Sequence, residues 1–400
     1  MTRQISLSLV ALILCLLNSD VTEAGPLKVY ILAGQSNMQG HAHVRTIDHI
    51  GMDPATAPIL KEIRNTDGTD RVFENIWISA LGVADEELHG KLTTGYGAAG
   101  GGPKIGPELT FGIYMQQHLQ EPVLIIKTAW GGKSLHTDFR SPSAGPYQFN
   151  EQQLQGLKKQ GKDIEQIRQD RVTATGVYYR LMLQHVNDVL KNIERVYPDY
   201  DSKAGYELSG FVWFQGWNDM VDQGVYPKRD MPGGYDAYSS ALAHFIRDVR
   251  KDLSSPKLPF VIGVMGAGGP VDKYGPDRKR YAPIHSEFRK AMAAPASLPE
   301  FKGNVKAVLT EESWDLQLTE LTSRWGKVQG KNRSLNNDKT LNPEQRKQQL
   351  DEFTNELFTA EALATLKAGT SNAEYHYLGS AKILARIGKS FADAIVSWEE

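Results

Sequence analysis

Five short runs of apolar, largely β-branched residues recur along the chain and constrain its fold more than any other feature. Continuous apolar runs of this length are typical of strands buried on both faces, as in a parallel sheet. Segments with helical periodicity separate them. This alternation predicts a three-layer α/β/α sandwich with a five-stranded parallel sheet. The runs are Lys28–Ala33, Val123–Thr128, Gly210–Gln215, Phe260–Met265 and Val305–Thr310.

The chain has 400 residues, which is long enough for one large domain with extended connections between its strands. It contains no internal repeat and no stretch with the composition of a linker, so we expect residues 25–400 to form a single domain. The surplus length falls near residues 41–105, 131–172 and 311–371. The last of these is charged and helix-prone, which is typical of an insertion.

The first 24 residues have the pattern of a secretory signal peptide. Arg3 supplies a positive charge, and an apolar run from Ile5 to Leu17 follows it. This run is too short to span a bilayer as a stable helix. We therefore expect cleavage after Ala24, a secreted or periplasmic protein and no membrane association afterwards. Cys15, the only cysteine, would leave with the signal peptide, so the mature chain would have no disulfide.

Charge excludes one broad class of partner. The formal net charge of −2 gives no general attraction to nucleic acid, so we expect no nucleic-acid partner. The sequence carries no signal for a particular oligomeric state.

Glycine and polar residues follow three of the predicted strands at their carboxyl ends, where open α/β sheets bind ligands. Ser36 follows the first strand, Gly132 the second, and Gln215 and Asn218 the third. His376 precedes an amphipathic segment near the end of the chain. A serine alone at such a position is usually a turn residue. Together, however, a serine, amide donors and a histidine are the groups that acyl transfer requires.

Several blocks of the sequence resemble the SGNH hydrolases. The similarity is strongest to the sialate O-acetylesterase and acetylxylan-esterase-like branch, carbohydrate esterase family six. This resemblance implies a flavodoxin-like sandwich that hydrolyses acyl esters, usually acetyl groups on sugars, with no metal and no cofactor. The blocks, in order, are Ile31–Met38, Gly106–Glu108, Lys127–Gly132, Trp213–Gly216 and His376 with Tyr377.

The resemblance implies that Ser36 is the nucleophile and His376 its base. The family carries an aspartate three residues before this histidine, but Ala373 occupies that position here. Glu374 is the nearest replacement, and we expect it to orient the imidazole ring. The alternatives are a Ser-His dyad supported by a backbone carbonyl, or an acid from the group Glu311, Glu312 and Asp315.

The oxyanion hole is expected to combine backbone and side-chain donors. By resemblance, the backbone N–H of Ser36 and that of Gly132, or less favourably Gly131, supply two donors. The third is ambiguous. Gln215 matches the Gln-Gly motif of the branch, whereas Asn218 matches the Gly-x-Asn-Asp motif of the wider superfamily. We favour Gln215 and retain Asn218.

For other polar and aromatic residues, the sequence gives weaker indications of substrate contact or metal binding. We expect Gln35, Trp130 and Trp217 to contact substrate, the two indoles by stacking on a sugar face, with buried packing as an equal alternative. His41 and His43 are spaced like metal ligands. No cysteine or carboxylate cluster accompanies them, so we expect solvated loop residues and no metal site.

The expected function is hydrolysis of O-acyl, chiefly O-acetyl, esters on an oligo- or polysaccharide through an acyl-enzyme. A carbohydrate-binding relative with weak or lost turnover is one alternative, motivated by the missing aspartate. An esterase for non-carbohydrate esters is another, because it would use the same chemistry.

Overall fold

The computed structural model describes residues 25–398 and places a seven-stranded sheet between helices. The predicted signal peptide lies outside the described residues. The strand order is β4-β3-β6-β1-β7-β8-β9; β3 and β4 pair antiparallel, and the other neighbours pair parallel. A separate two-stranded pair joins β2 to β5. The strands are β1 (Leu27–Gly34), β2 (Ala42–His43), β3 (Phe73–Leu81), β4 (Leu88–Leu92), β5 (Lys104–Ile105), β6 (Val123–Ala129), β7 (Tyr206–Phe214), β8 (Phe260–Val264) and β9 (Val305–Leu309).

All five predicted runs form strands of the large sheet, as β1, β6, β7, β8 and β9. The expected number of five strands was too low, because β3 and β4 lie within the connection near residues 41–105. Glu74 and Asn75 interrupt the apolar residues of β3, and they are exposed. The strand therefore lacks the continuous apolar run by which the others are recognised.

The sheet has helices on both faces. Gly210 and Phe211 are neighbours in β7, so they face opposite sides of the sheet. A Cβ atom on Gly210 would lie 2.8 Å from Ile395 Cδ1, whereas the Phe211 ring packs against Phe245 with 6.0 Å between centroids. Ile395 and Phe245 belong to different helices, α13 and α8. The sheet is therefore the middle layer, which confirms the predicted α/β/α class.

Thirteen α-helices are present among residues 25–398. They are α1 (Ser36–Gln39), α2 (Ala57–Ile63), α3 (Glu108–Leu119), α4 (Glu151–Lys159), α5 (Ile164–Ala174), α6 (Val177–Lys191), α7 (Trp217–Val221), α8 (Asp236–Asp252), α9 (Ala282–Ala293), α10 (Leu316–Asn337), α11 (Pro343–Leu357), α12 (Ala360–Gly369) and α13 (Ala381–Val396). Short 3₁₀ segments occupy Val44–Thr46, Asp48–Met52, Pro142–Ala144, Ile193–Arg195, Val271–Lys273, Lys279–Tyr281, Ala294–Ser297, Pro299–Phe301, Thr310–Ser313 and Glu374–Gly379.

Helices α10, α11 and α12 occupy most of the predicted insertion near residues 311–371. They pack around a small apolar cluster of their own, formed by Leu321, Val328, Phe358 and Leu366, which is separate from the main core. None of the helices within residues 25–398 has both the length and the apolar character needed to cross a membrane.

Candidate active site

Strand β1 is the topological switch point of the sheet, because the strands that follow it in the chain are added first on one side of it and then on the other. The next strands of the large sheet, β3, β4 and β6, lie on one side of β1, and β7, β8 and β9 lie on the other. Ligand sites in open α/β sheets form at such a switch point, at the carboxyl ends of the strands. The segments that follow β1, β6 and β7 meet there, and they contain the predicted serine, glycines and amides.

Ser36 begins α1, directly after the end of β1. Gly34, two residues earlier, lies so close to β7 that a Cβ atom there would be 2.1 Å from the carbonyl oxygen of Phe214. Only glycine fits this approach. The Ser36 side chain is 6% exposed, and its hydroxyl accepts a long hydrogen bond of 3.5 Å from Gln35 Nε2. The first N–H groups of a helix have no partner within it, so the backbone of Ser36 is suited to donate to a ligand.

A buried ion pair holds α1 in place. Lys127 Nζ lies 2.7 Å from Glu108 Oε2, and both side chains are fully buried. The same ammonium donates to the carbonyl oxygen of Gln39, the last residue of α1. Burial lowers the pKa of Lys127, and the Glu108 carboxylate opposes this effect. These two residues of the family blocks therefore support the nucleophile without taking part in its chemistry.

Gln35 connects the segments that follow β1 and β7. Its Oε1 accepts hydrogen bonds from Gln215 Nε2 (3.1 Å) and from the backbone N–H of Gly216 (3.2 Å). Its Nε2 donates to Asn218 Oδ1 (3.1 Å). Gln35 is 1% exposed. We expected this residue to contact substrate, but the structure places it within the network that positions the loops.

The amide nitrogen of Gln215 is fully occupied. Gln215 Nε2 donates to Asp219 Oδ2 (2.6 Å), to the carbonyl oxygen of Lys133 (3.1 Å) and to Gln35. A side-chain amide has two hydrogens, so none remains for an oxyanion. Asp219 is fully buried and also accepts from the backbone N–H of Leu135. Gln215 thus ties the loop after β6 to the loop after β7.

Asn218 is placed differently. Its Oδ1 accepts from Gln35 Nε2, which fixes the orientation of the amide. Within residues 25–398, Asn218 Nδ2 makes no hydrogen bond, and the side chain is half-buried. An amide N–H₂ that is oriented but unengaged is what an oxyanion donor requires. The hydrogen bonds therefore favour Asn218 over Gln215, which reverses the order expected from the sequence.

The glycine pair after β6 lies next to the serine. A Cβ atom on Gly131 would lie 3.9 Å from Ser36 Cβ and 3.2 Å from Gln39 Oε1. Gly132 has a φ of +74°, a conformation that favours glycine, and a Cβ atom there would meet open space. The loop that carries both glycines is therefore close enough to present backbone N–H groups beside Ser36.

His376 lies in the turn Glu374–Gly379, which packs against α1. Two residues of this turn, Tyr377 and Leu378, have positive φ values of 52° and 60°. Non-glycine residues adopt this conformation at some cost, so surrounding contacts must hold the turn. One such contact is the buried Tyr377 hydroxyl, which accepts a hydrogen bond from the backbone N–H of Gly266 (2.8 Å).

Asn372 orients the imidazole ring. Its Oδ1 lies 3.1 Å from His376 Nδ1 and also accepts from the backbone N–H of Ala373 (2.7 Å), which fixes the amide orientation. An amide oxygen only accepts hydrogen bonds, so Nδ1 carries the hydrogen and Nε2 presents its lone pair. Nε2 is thus the nitrogen able to act as a base. Within residues 25–398, Ser36 makes no hydrogen bond with His376, and such contacts often tighten only when substrate binds.

The predicted contact between Glu374 and His376 does not form. Among the residues that the structure describes, Glu374 pairs instead with Arg278, because the turn directs its side chain away from the ring. Burial raises the pKa of Glu374, and Arg278 opposes this. The alternative acids are also placed elsewhere: Glu311 pairs with Arg289, Asp315 with Lys382, and Glu312 is exposed.

His41 stacks on His376, a contact that the sequence did not indicate. The two rings are almost parallel, at 3°, with centroids 3.9 Å apart. Burial lowers the pKa of His376 to about 4. Burial also lowers the pKa of His41 to about 3, with smaller effects from the positive charges of His376, Lys104 and Lys127. Both rings are therefore neutral at neutral pH, and His41 is not the solvated loop residue that we expected.

The two tryptophans expected to contact sugar lie in different surroundings. Trp130 packs against Phe139 and Tyr178, with centroid distances of 6.0 and 5.2 Å. Trp217 lies 5.6 Å from the ring of Tyr375, which is 43% exposed and next to His376 in the chain. Trp217 is therefore the better placed of the two to meet a substrate.

Within residues 25–398, no three histidine, cysteine, aspartate or glutamate side chains are grouped as metal ligands. The site is instead composed of a serine hydroxyl, a neutral imidazole and amide donors, which is a combination suited to acyl transfer.

Comparison with known proteins gives the family. The family model described as "Carbohydrate esterase, sialic acid-specific acetylesterase" matches residues 26–294 and therefore ends before His376. No curated protein matches the chain. Among solved structures, a protein from Arabidopsis thaliana is 18% identical, with a TM-score of 0.38 and coverage of 71% of this chain and 86% of the other.

A carbohydrate acetylesterase from Xanthomonas citri is 14% identical, with a TM-score of 0.37, and the match covers 72% of this chain and 51% of the other. The family match spans more than half of the sequence and agrees with the resemblance found in the sequence blocks. The chain belongs to the sialic acid-specific acetylesterase family of carbohydrate esterases and is a carboxylic ester hydrolase.

Proposed function

We propose that this protein is a serine esterase that removes acetyl groups from carbohydrates through an acetyl-enzyme intermediate. The observation that carries the proposal is the orientation of His376. Asn372 holds its Nδ1, so the lone pair of Nε2 is available, and the turn that carries the ring packs against the helix that begins with Ser36. Family membership supports the ester and the carbohydrate as substrate class.

In the first half-reaction, Ser36 Oγ attacks the ester carbonyl carbon while His376 Nε2 takes the hydroxyl proton. The carbonyl oxygen becomes an oxyanion, which the N–H of Ser36, the N–H of Gly132 and the Asn218 amide stabilise in this proposal. The carbon–oxygen bond to the sugar then breaks, and His376 returns the proton to the departing sugar oxygen. The acetyl group remains on Ser36.

In the second half-reaction, His376 takes a proton from a water molecule that attacks the acetyl carbonyl carbon. Collapse of the second oxyanion breaks the bond to Ser36 Oγ and releases acetate, while Oγ recovers its proton from His376. Asn372 orients the ring in both steps. It carries no charge, so it stabilises the imidazolium less than a carboxylate would.

The proposal is tested by acetate release from a panel of acetylated glycans, with the wild type beside Ser36→Ala. Acetate released by the wild type alone supports the proposal. Hydrolysis of aryl acetates without release from any glycan would identify an esterase for non-carbohydrate esters. Binding of glycans without hydrolysis of any ester would identify a carbohydrate-binding relative.

Asn372→Ala is expected to lower kcat about 10- to 100-fold, because the ring loses the acceptor that fixes its tautomer. Asn372→Asp should move the acid limb of the pH profile of kcat/KM to higher pH, because a carboxylate favours the charged imidazolium. Ser371→Ala is the matched control, since Ser371 Oγ supports the same turn by donating to the carbonyl oxygen of Gly379 (2.7 Å). Near-normal turnover in Asn372→Ala would contradict the assignment.

The stacked histidine predicts a particular pH dependence. The base must be neutral, and since the pKa of His376 is lowered to about 4, kcat/KM should fall only in acid. His41→Ala would admit water to one face of the ring and stabilise the imidazolium. The midpoint of the acid limb of kcat/KM should therefore move up toward about pH 6.5, the pKa of free histidine. His41→Phe keeps a stacked ring and should retain the wild-type limb. An unmoved limb in His41→Ala would contradict this role.

A further inference from the structure

A cavity of about 550 Å³ lies beside the turn that carries His376, and we call it the α10 cavity. Its walls come from the loop around Arg278, from the start of α10, and from Glu374 and Leu378. We propose that the α10 cavity binds a neutral sugar unit linked to the acetylated one, so that oligosaccharides are preferred to monosaccharides. This inference rests on the proposed function.

The α10 cavity lies next to the catalytic histidine in the chain. Glu374 and Leu378, which contribute to its wall, lie two residues before and two residues after His376. Its volume of about 550 Å³ falls within the range of about 300–1,000 Å³ that is usual for small-molecule sites. In this proposal, a glycan whose acetyl group reaches Ser36 extends past the turn that carries His376 and brings its neighbouring sugar unit to the cavity.

The charges around the α10 cavity favour a neutral ligand. Two cations, Lys273 and Arg278, line it together with three carboxylates, Asp277, Glu320 and Glu374. An anionic sugar would meet more carboxylates than cations, and a cationic one would meet an arginine and a lysine. Uncharged hydroxyl groups can hydrogen-bond with both signs of charge.

The ion pair between Arg278 and Glu374 can hydrogen-bond with sugar hydroxyl groups. The Arg278 guanidinium lies 4.5 Å from the centroid of the Tyr274 ring and donates to Glu374. The Arg278 side chain is 17% exposed and that of Glu374 is 40% exposed, so the pair offers donors and an acceptor at one surface. Adjacent hydroxyl groups of a sugar ring both donate and accept, and charge-assisted hydrogen bonds are the stronger ones. In this proposal Glu374 binds sugar hydroxyl groups. It does not orient the His376 ring, the role that the sequence predicted for it.

Helix α10 supplies the remaining wall. Ser323, which is exposed, lines the α10 cavity together with Thr319 and Thr322, and Leu316, which is 46% exposed, brings an apolar surface. Sugar rings present both hydroxyl groups and apolar C–H faces, so this mixture suits them. The helix follows the part of the chain matched by the family model, which ends at residue 294. The wall formed by α10 therefore lies outside the matched residues, whereas the loop around Arg278 lies within them.

The test is calorimetric binding of xylotetraose, cellotetraose and mannotetraose to the wild type, Ser323→Trp and Ser334→Trp. Ser323 lines the α10 cavity, whereas Ser334 is an exposed residue of the same helix outside it. At least one tetrasaccharide should bind the wild type. Ser323→Trp should weaken its binding about tenfold or more by filling the cavity, and Ser334→Trp should leave it unchanged.

Binding that is absent for all three tetrasaccharides, or equal in Ser323→Trp and the wild type, would overturn the inference. Hydrolysis of 4-nitrophenyl acetate, measured in parallel, reports on Ser36 and not on the α10 cavity. It should be unchanged in Ser334→Trp, the control variant. Failure of the proposed function would appear as the absence of ester hydrolysis, which is distinct from a failure of glycan binding.

Discussion

Ser36→Ala will lower kcat by about 10³-fold or more, because removal of Oγ abolishes the covalent step. The fold should be unaffected, since the hydroxyl makes only a long hydrogen bond of 3.5 Å, with Gln35, among residues 25–398. The measurement is turnover of an aryl acetate together with a thermal unfolding curve. Stability close to that of the wild type would show that the loss is one of chemistry.

Ser209→Ala is the matched control for this variant. Ser209 is a buried serine of β7, and its hydroxyl donates to the carbonyl oxygen of Glu207 (3.2 Å). Its loss should leave turnover close to the wild-type value. Retention of more than about a tenth of the activity in Ser36→Ala would exclude Ser36 as the nucleophile, because losses of triad members are typically far larger.

Asn218→Ala is expected to lower kcat about 10²- to 10³-fold with little change in KM, the result of losing a donor that acts mainly in the transition state. Gln215→Ala should behave differently, because Gln215 Nε2 is bound to Asp219 (2.6 Å) and to the carbonyl oxygen of Lys133 (3.1 Å). Its loss should lower Tm as the two loops separate. Steady-state kinetics and calorimetric unfolding of both variants distinguish these effects.

Opposite results would support the preference for Gln215 over Asn218 as oxyanion donor that the sequence indicated. A large loss of kcat in Gln215→Ala at unchanged Tm, with Asn218→Ala close to the wild type, would assign the side-chain donor to Gln215. If neither substitution lowered kcat, the third donor would be neither of these residues.

The parts of the fold that depend on local pattern could be predicted. Continuous apolar runs identified four inner strands, β1, β6, β7 and β8, and the edge strand β9, because strands buried on both faces need apolar residues at nearly every position. Strand β3 was missed because Glu74 and Asn75 are exposed and break its run. The position of Ser36 followed from its place after the first strand, since parallel strands direct their carboxyl ends to one edge of the sheet.

Contacts between distant segments could not be predicted. His41 and His376 are far apart in the chain, and only the packed structure stacks their rings at 3.9 Å. The sequence predicted that Glu374, a carboxylate more distant in the chain or a backbone carbonyl would orient the ring, whereas the turn brings the amide of Asn372 to it. An asparagine is a common turn residue, so its sequence position carried no signal for this role.

The most direct test of the account is labelling of the intact protein with a fluorophosphonate, which reacts with an activated serine hydroxyl, followed by peptide mapping. Peptide mapping should find a single adduct, on Ser36, that is absent from Ser36→Ala and strongly reduced in His376→Ala. An adduct on any other serine, or undiminished labelling of Ser36→Ala, would contradict it.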